Sequence, residues 1–297
     1  MFPRPLAALL VTAVASLLTA PATAHFLVVH TPKTALLRGE DLPFHLIFTH
    51  AFAGGPSMAM DRPERFYFSR RPAAGEPSEE VDLLPYLQAI DWQSEDSRVP
   101  AWRATIPRNQ VRSLGDYQFV VEPAPYLEAG EDIYIQQFAK VMVNVGGVPG
   151  NWSETLGLPA EIHALNKPYA NWTGGVFRGV VLSDGVPVPF TQIEVEYLNH
   201  ALDVDNRRFE EQGQITAPHP SLEAMVILSN AQGEFSFALP KAGWWGFAAL
   251  NVGPTKQHAG KPLSRQGTSI YMAIALDTPR TLDAVLRAHS LDGAGYG

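Results

Sequence analysis

Alternation of apolar and polar residues runs through most of the chain. Phe44, Leu46, Phe48 and His50 alternate with His45, Ile47 and Thr49, a period of two that predicts a strand running to His50. Arg65–Phe68 predicts a second short strand, and Asp82–Gln88 a single helical turn. Residues 115–126 (GDYQFVVEPAPY) read as a strand entered through a turn and stopped by prolines. Residues 133–145 (IYIQQFAKVMVNV) are rich in β-branched and aromatic residues and predict a long strand. A Gly/Pro/Asn-rich stretch at 146–159 loosens the pattern. Residues 160–169 then predict one more strand, with a boundary near Asn166–Pro168. Beyond it, 175–199 reads as strand, turn, strand about Asp184-Gly185, a hairpin signal. Residues 224–252 repeat that arrangement about Asn230–Gly233, and 269–276 closes the sheet. Polar excursions at 200–220 and 253–267 interrupt these strands, and loops this long are usually functional or disordered. The expected architecture is all-β: a first domain over 25–166, a second over 167–278, and a loose tail over 279–297.

The N-terminus follows another rule. Arg4 precedes an apolar run, Leu6–Ala20, and then Ala22-Thr23-Ala24. A short basic region, an apolar region and an A-x-A site predict a secretory signal peptide over 1–24, cleaved after Ala24. The run is short for a membrane span, and no later stretch is longer and as apolar. The expectation is a soluble, periplasmic protein without direct membrane insertion. With 25 Pro and 24 Gly the turn formers are abundant, which strengthens the all-β reading. A net charge of −8 with no basic stripe speaks against a nucleic-acid partner. The chain has no Cys. Disulfides and a lipoprotein anchor are thereby excluded, and metal ligands are limited to His, Met, carboxylate and backbone. There is no G-x-S-x-G, H-E-x-x-H, P-loop or Rossmann fingerprint to support a hydrolase or nucleotide role.

Cleavage after Ala24 makes His25 the first residue of the mature chain. It then offers an α-amine and an imidazole Nδ1 that can chelate one metal ion. The amine has a reference pKa near 7.7–8.0, so a metal displaces its proton at little cost. A second imidazole completes a three-nitrogen set suited to Cu(II) or Ni(II). The plain alternative is a harmless histidine at a frayed end. His50 is the partner candidate, at a strand end beside the Ala53-Gly54-Gly55-Pro56 loop. Its alternative is a half-buried strand histidine bonded to backbone. Met58, Met60 and Asp61 follow the loop; Met60 and Asp61 are further candidate ligands, although Met more often fills core gaps. His30 and His45 fall on the opposite strand faces from His25 and His50 and read as structural. Glu128, Glu131 and Asp132 read as a solvated acidic turn, and Lys140 as an ion-pair partner. Asp203-x-Asp205-Asn206 starts like a calcium loop but puts Arg208 where a glycine belongs and lacks the twelfth-position Glu. His200 and His219 flank that excursion and read as surface residues. Trp244-Trp245 reads as core or inter-domain packing.

Several stretches in order resemble the DUF4198 family of exported bacterial proteins linked to nickel uptake: Ala24-His25-Phe26, FTHAF (48–52), MDRPERF (60–66), GDYQFVVEPAPYLEAGEDIYIQQFAK (115–140), GLPAEIHALNKPY (157–169) and AGWWGFAAL (242–250). The motif after His50 departs from the family's usual Pro-Phe-Glu and reads Ala51-Phe52-Ala53, so a carboxylate common there is missing. The second domain resembles the carboxypeptidase regulatory-like, transthyretin-type β-sandwich through Gly179-Val180-Val181, Gly185-x-Pro187 and Asn230-x-x-Gly233-x-Phe235. These likenesses imply two β-sandwich (Ig-like or transthyretin-like) domains in tandem. They also imply a non-enzymatic periplasmic protein that supports nickel or cobalt uptake alongside a membrane metal-transport complex. The bound divalent transition-metal ion is then held by His25, with His50 as its partner. A copper chaperone or buffer, a histidine-brace copper oxidoreductase and a purely structural sandwich are the alternatives.

Overall fold

A computed structural model describes residues 25–95 and 97–274. The predicted signal peptide over 1–24 and the tail over 279–297 lie outside those residues. The protein is all-β, and its only helical pieces among the described residues are two 3-10 turns, Leu84–Tyr86 and Pro220–Leu222.

The first sandwich sets a short sheet against half of a long one. The short sheet runs in the order Phe26–His30, Leu42–Thr49, Ser97–Ile106, Leu87–Ser94. Opposite it stand Ile133–Val145, Gly115–Glu122, Arg65–Arg70 and Glu79–Asp82. Alternate residues of each strand point into the space between. Phe44 meets Phe119 with ring centroids 4.6 Å apart and Phe66 at 5.8 Å. Leu46, Phe48, Val141 and Val143 complete this core. The predicted long strand at 133–145 is present with those bounds.

The second sandwich uses the other half of the same long sheet. Lys261–Ile274 lies parallel to Ile133–Val145, from Tyr134 opposite Leu263 to Val141 opposite Ile270. Gly243–Ala249, Gln192–Tyr197 and Ala224–Leu228 follow outward from it. A small sheet of Glu161–Ala164, Val176–Ser183 and Glu234–Ala238 covers them. Phe177 meets Phe247 across this gap at 4.9 Å. Leu158, Ala160 and Ile162 already belong to the second core.

Two predicted hairpins take another form. Asp184-Gly185 does turn the chain, but its return arm is only Val186–Pro187. Gln192–Tyr197 then crosses to the long sheet. Likewise Ala224–Leu228 pairs with Gln192–Tyr197 while Glu234–Ala238 pairs with Val176–Ser183. The Asn230–Gly233 turn is therefore a corner between two sheets and not the tip of a hairpin.

The sandwiches interlock. In Gly243–Ala249, Trp245, Phe247 and Ala249 point into the second core, while Trp244 and Ala248 join the first. Phe26 packs so close to Gly246 that an added Cβ there would come within 3.0 Å of its ring. Trp244 stands edge-on to His30 at 5.3 Å. The 200–220 excursion is part of this seam: Phe209 packs edge-on to Trp92 at 5.2 Å, and Gln93 N donates to Arg207 O at 2.7 Å. Asp203 shapes its tip, accepting from Asn206 N at 3.1 Å and Asn206 Nδ2 at 2.7 Å.

Candidate functional site

Strand register decides which histidines meet. Phe26 pairs with Thr49 and His30 with His45 in an antiparallel ladder. One step beyond its end, His25 faces His50. The two rings stand 4.4 Å apart at 58°. His30 and His45 lie on the other face of the same strand pair, at the seam between sandwiches. Burial lowers the pKa of both, that of His30 to about 4, and His30 leaves a buried Nδ1 without a hydrogen-bond partner.

The surroundings of His25 come from a short strand, Tyr126–Glu128, paired with the start of Ile133–Val145. Residues 126 and 128 share a face, so both reach the histidine. Glu128 Oε2 lies 3.3 Å from His25 Nδ1. Tyr126 stands edge-on to His25 at 6.2 Å, and Phe48 does so at 5.6 Å. Burial first, and then His50, push the His25 pKa down to about 4. Burial lowers that of His50 as well, with Glu128 opposing it. At neutral pH the imidazoles are uncharged, so the Glu128 contact is a polar contact and not a full ion pair. The side chains of His25 and Glu128 keep 18% and 23% of their exposure, so the pair sits at a half-open rim.

The loop after His50 is tied to the second sandwich. Phe52 N donates to Glu196 Oε2 at 2.9 Å, and Asn199 N to Ala51 O at 3.4 Å. Gly54 adopts a positive φ of 71° against the His200 ring, where a Cβ would come within 2.8 Å. Within the loop, Gly54 N closes a turn onto His50 O at 3.1 Å.

Met60 is buried in the first core, and its backbone carbonyl accepts from Trp102 Nε1 at 3.1 Å. Asp61 is exposed and accepts from the same indole through its carbonyl at 3.1 Å. Both line a cavity of ≈ 40 Å³ that Phe48, Tyr126 and Gln137 also border. The carboxylate that reaches His25 is thus that of Glu128, for which local sequence pattern predicts only a solvated turn. Of its acidic neighbours, Asp132 pairs with Lys261. Lys140 donates to Glu161 at 2.7 Å, both buried. His219 accepts from Ser221 N and caps the second 3-10 turn. Among the described residues, no set of three or more His, Asp or Glu side chains converges as a metal cage by itself.

No curated protein matches the chain. Solved structures with similar stretches include the Yersinia pseudotuberculosis adhesin InvE, at 10% identity and a TM-score of 0.25 over 85% of this chain. The chain spans 60% of InvE. Trypsin-activated alpha-2-macroglobulin from Escherichia coli matches at 10% identity and a TM-score of 0.23, over 86% of this chain and 16% of that one. The D00-D0 domain of intimin matches at 10% identity and a TM-score of 0.19, over 84% and 98%. A family described as a domain of unknown function, DUF4198, matches residues 22–253, from the His25 segment through most of the second sandwich. The chain belongs to the DUF4198 family.

Proposed function

We propose that the exported chain, cleaved after Ala24, is a periplasmic metal-binding protein supporting nickel or cobalt uptake. The observation that carries the reading is the pairing of His25 and His50, with rings 4.4 Å apart and Glu128 beside them. Two neutral imidazoles are donors of the type nickel, cobalt and copper accept. The side chains supply two nitrogens, and the freed α-amine of His25 adds the third, next to its own imidazole. Position 53 carries an alanine, and the carboxylate beside His25 comes from Glu128. Uptake and docking to a membrane transport complex rest on the likeness to exported nickel-linked proteins.

Copper is the second reading. A nitrogen-rich set binds Cu(II) more tightly than Ni(II) on intrinsic affinity, which suits a chaperone or buffer. A copper oxidoreductase built on the same two histidines also requires substrate or peroxide turnover with reductant and oxygen. Competition titration of the processed protein with Ni(II), Co(II) and Cu(II), beside the H50A variant, separates these. The uptake reading expects one ion per chain and loss of binding in H50A. Equal binding by both proteins contradicts it.

A further inference from the structure

The strand that carries His25 is hydrogen-bonded on one edge by Leu42–Thr49. On the other edge its first residues meet a side chain. Gln137, on the long strand Ile133–Val145, is 2% exposed. Its Oε1 accepts from Leu27 N, and its Nε2 donates to His25 O at 2.7 Å. One amide thus serves the N–H of residue 27 and the carbonyl of residue 25, as a paired strand would. The backbone dictates its orientation: the N–H needs an acceptor and the carbonyl a donor. Gln266, on the last strand, accepts from the same Nε2 at 2.7 Å and fixes the amide from behind.

We propose that Gln137 is the positioning residue of the metal site: it pins the carbonyl of His25, and with it the imidazole that faces His50 and the amine that cleavage after Ala24 would free. The proposal rests on the metal-binding reading. Gln137 borders the small cavity beside the site without supplying a ligand atom in it. Its effect runs through the His25 backbone, and Gln266 carries the constraint across the junction between the two sandwiches. A buried glutamine serving only stability would affect melting and leave the metal's surroundings unchanged.

The test uses the protein processed to a free His25, as wild type, Q137A, Q137E and Q266A. Q137E keeps the acceptor for Leu27 N and replaces the donor facing His25 O by a carboxylate oxygen. Q266A removes only the orienting partner. V143A, a core change on the same strand, controls for stability. Three quantities are read: the metal-free melting temperature, Ni(II) affinity by competition, and the EPR spectrum with Cu(II) as a stand-in ion. The expected result is a roughly 10- to 100-fold weaker affinity and an altered spectrum in the Gln137 variants, the range for loss of a residue that orients a ligand. Q266A follows with a smaller change, and V143A lowers only the melting temperature. Unchanged affinity and spectrum in Q137E, with metal-binding wild type, overturn the positioning role alone. No binding by wild type overturns both this role and the reading beneath it.

Discussion

At His25 burial and access are balanced. The ring has lost enough solvent to stay neutral far below pH 7, yet it remains open on one side. His50 completes the pair, so H25A and H50A are each expected to lower Ni(II) affinity by on the order of 100-fold or more, beyond the effect of a residue that only orients a ligand. Competition titration checks this, and an equal affinity in either variant contradicts it. E128Q is expected to have a smaller effect, because the amide keeps an oxygen in place but loses the charge. The two histidines were legible in sequence: an A-x-A site marked one, and period-two alternation put the other at a strand end. Glu128 was not legible. Its approach to His25 depends on the pairing of Tyr126–Glu128 with Ile133–Val145 and on the packing of two sheets, which no local pattern encodes.

Between elements, Glu196 holds the His50 loop through Phe52 N, although burial raises its pKa to about 8. Glu194 and Glu223 push in the same direction. An unfolded Glu titrates near 4.5, so between that pH and about 8 the folded chain keeps a proton the unfolded chain has lost. The stability this provides is fully present below the unfolded pKa and is lost as pH rises through the folded one. The slope is at most about 1.4 kcal/mol per pH unit. E196Q keeps an acceptor for Phe52 N without the charge. Thermal melts are expected to show it more stable than wild type at pH 8.5 and indistinguishable at pH 4. A constant difference at all pH values counts against this account. Lys140 and Glu161 form a buried pair in which Glu161 also accepts from Leu156 N at 3.1 Å. K140M is expected to cost about 3–5 kcal/mol in chemical denaturation, because it leaves a buried carboxylate uncompensated. Element identity was partly legible. The strand at 133–145 is plain in the sequence, but Leu87–Ser94 and Ser97–Ile106 carry no clear alternation. Only Ile90, Trp92 and Ser94 of the first point inward, which leaves a sparse apolar pattern on an edge strand. The turn at Asn230–Gly233 was recognisable, but turn chemistry does not say which sheet receives each arm.

For the whole molecule, one continuous sheet joins what the sequence presents as two tandem domains. The joint is the parallel pairing of Ile133–Val145 with Lys261–Ile274, strands far apart in the chain whose register no short-range signal marks. The seam is reinforced by Trp244 on His30 and Phe209 on Trp92. Calorimetry is expected to show a single cooperative transition, with F209A lowering stability by about 3–5 kcal/mol as for other buried aromatic truncations. Two separable transitions contradict the interlocked arrangement. The same seam links the site to the second sandwich, through Gln266 behind His25 and Glu196 behind the His50 loop. The proposed metal site depends on a free α-amine at His25, which cleavage after Ala24 would expose. The decisive measurement purifies the protein after export, sequences its N-terminus and quantifies bound metal, beside a version that keeps a Met before His25. The expected result is an N-terminal His25 with one metal ion per chain and loss of that ion in the Met-extended version; equal metal in both would rule out the N-terminal chelate.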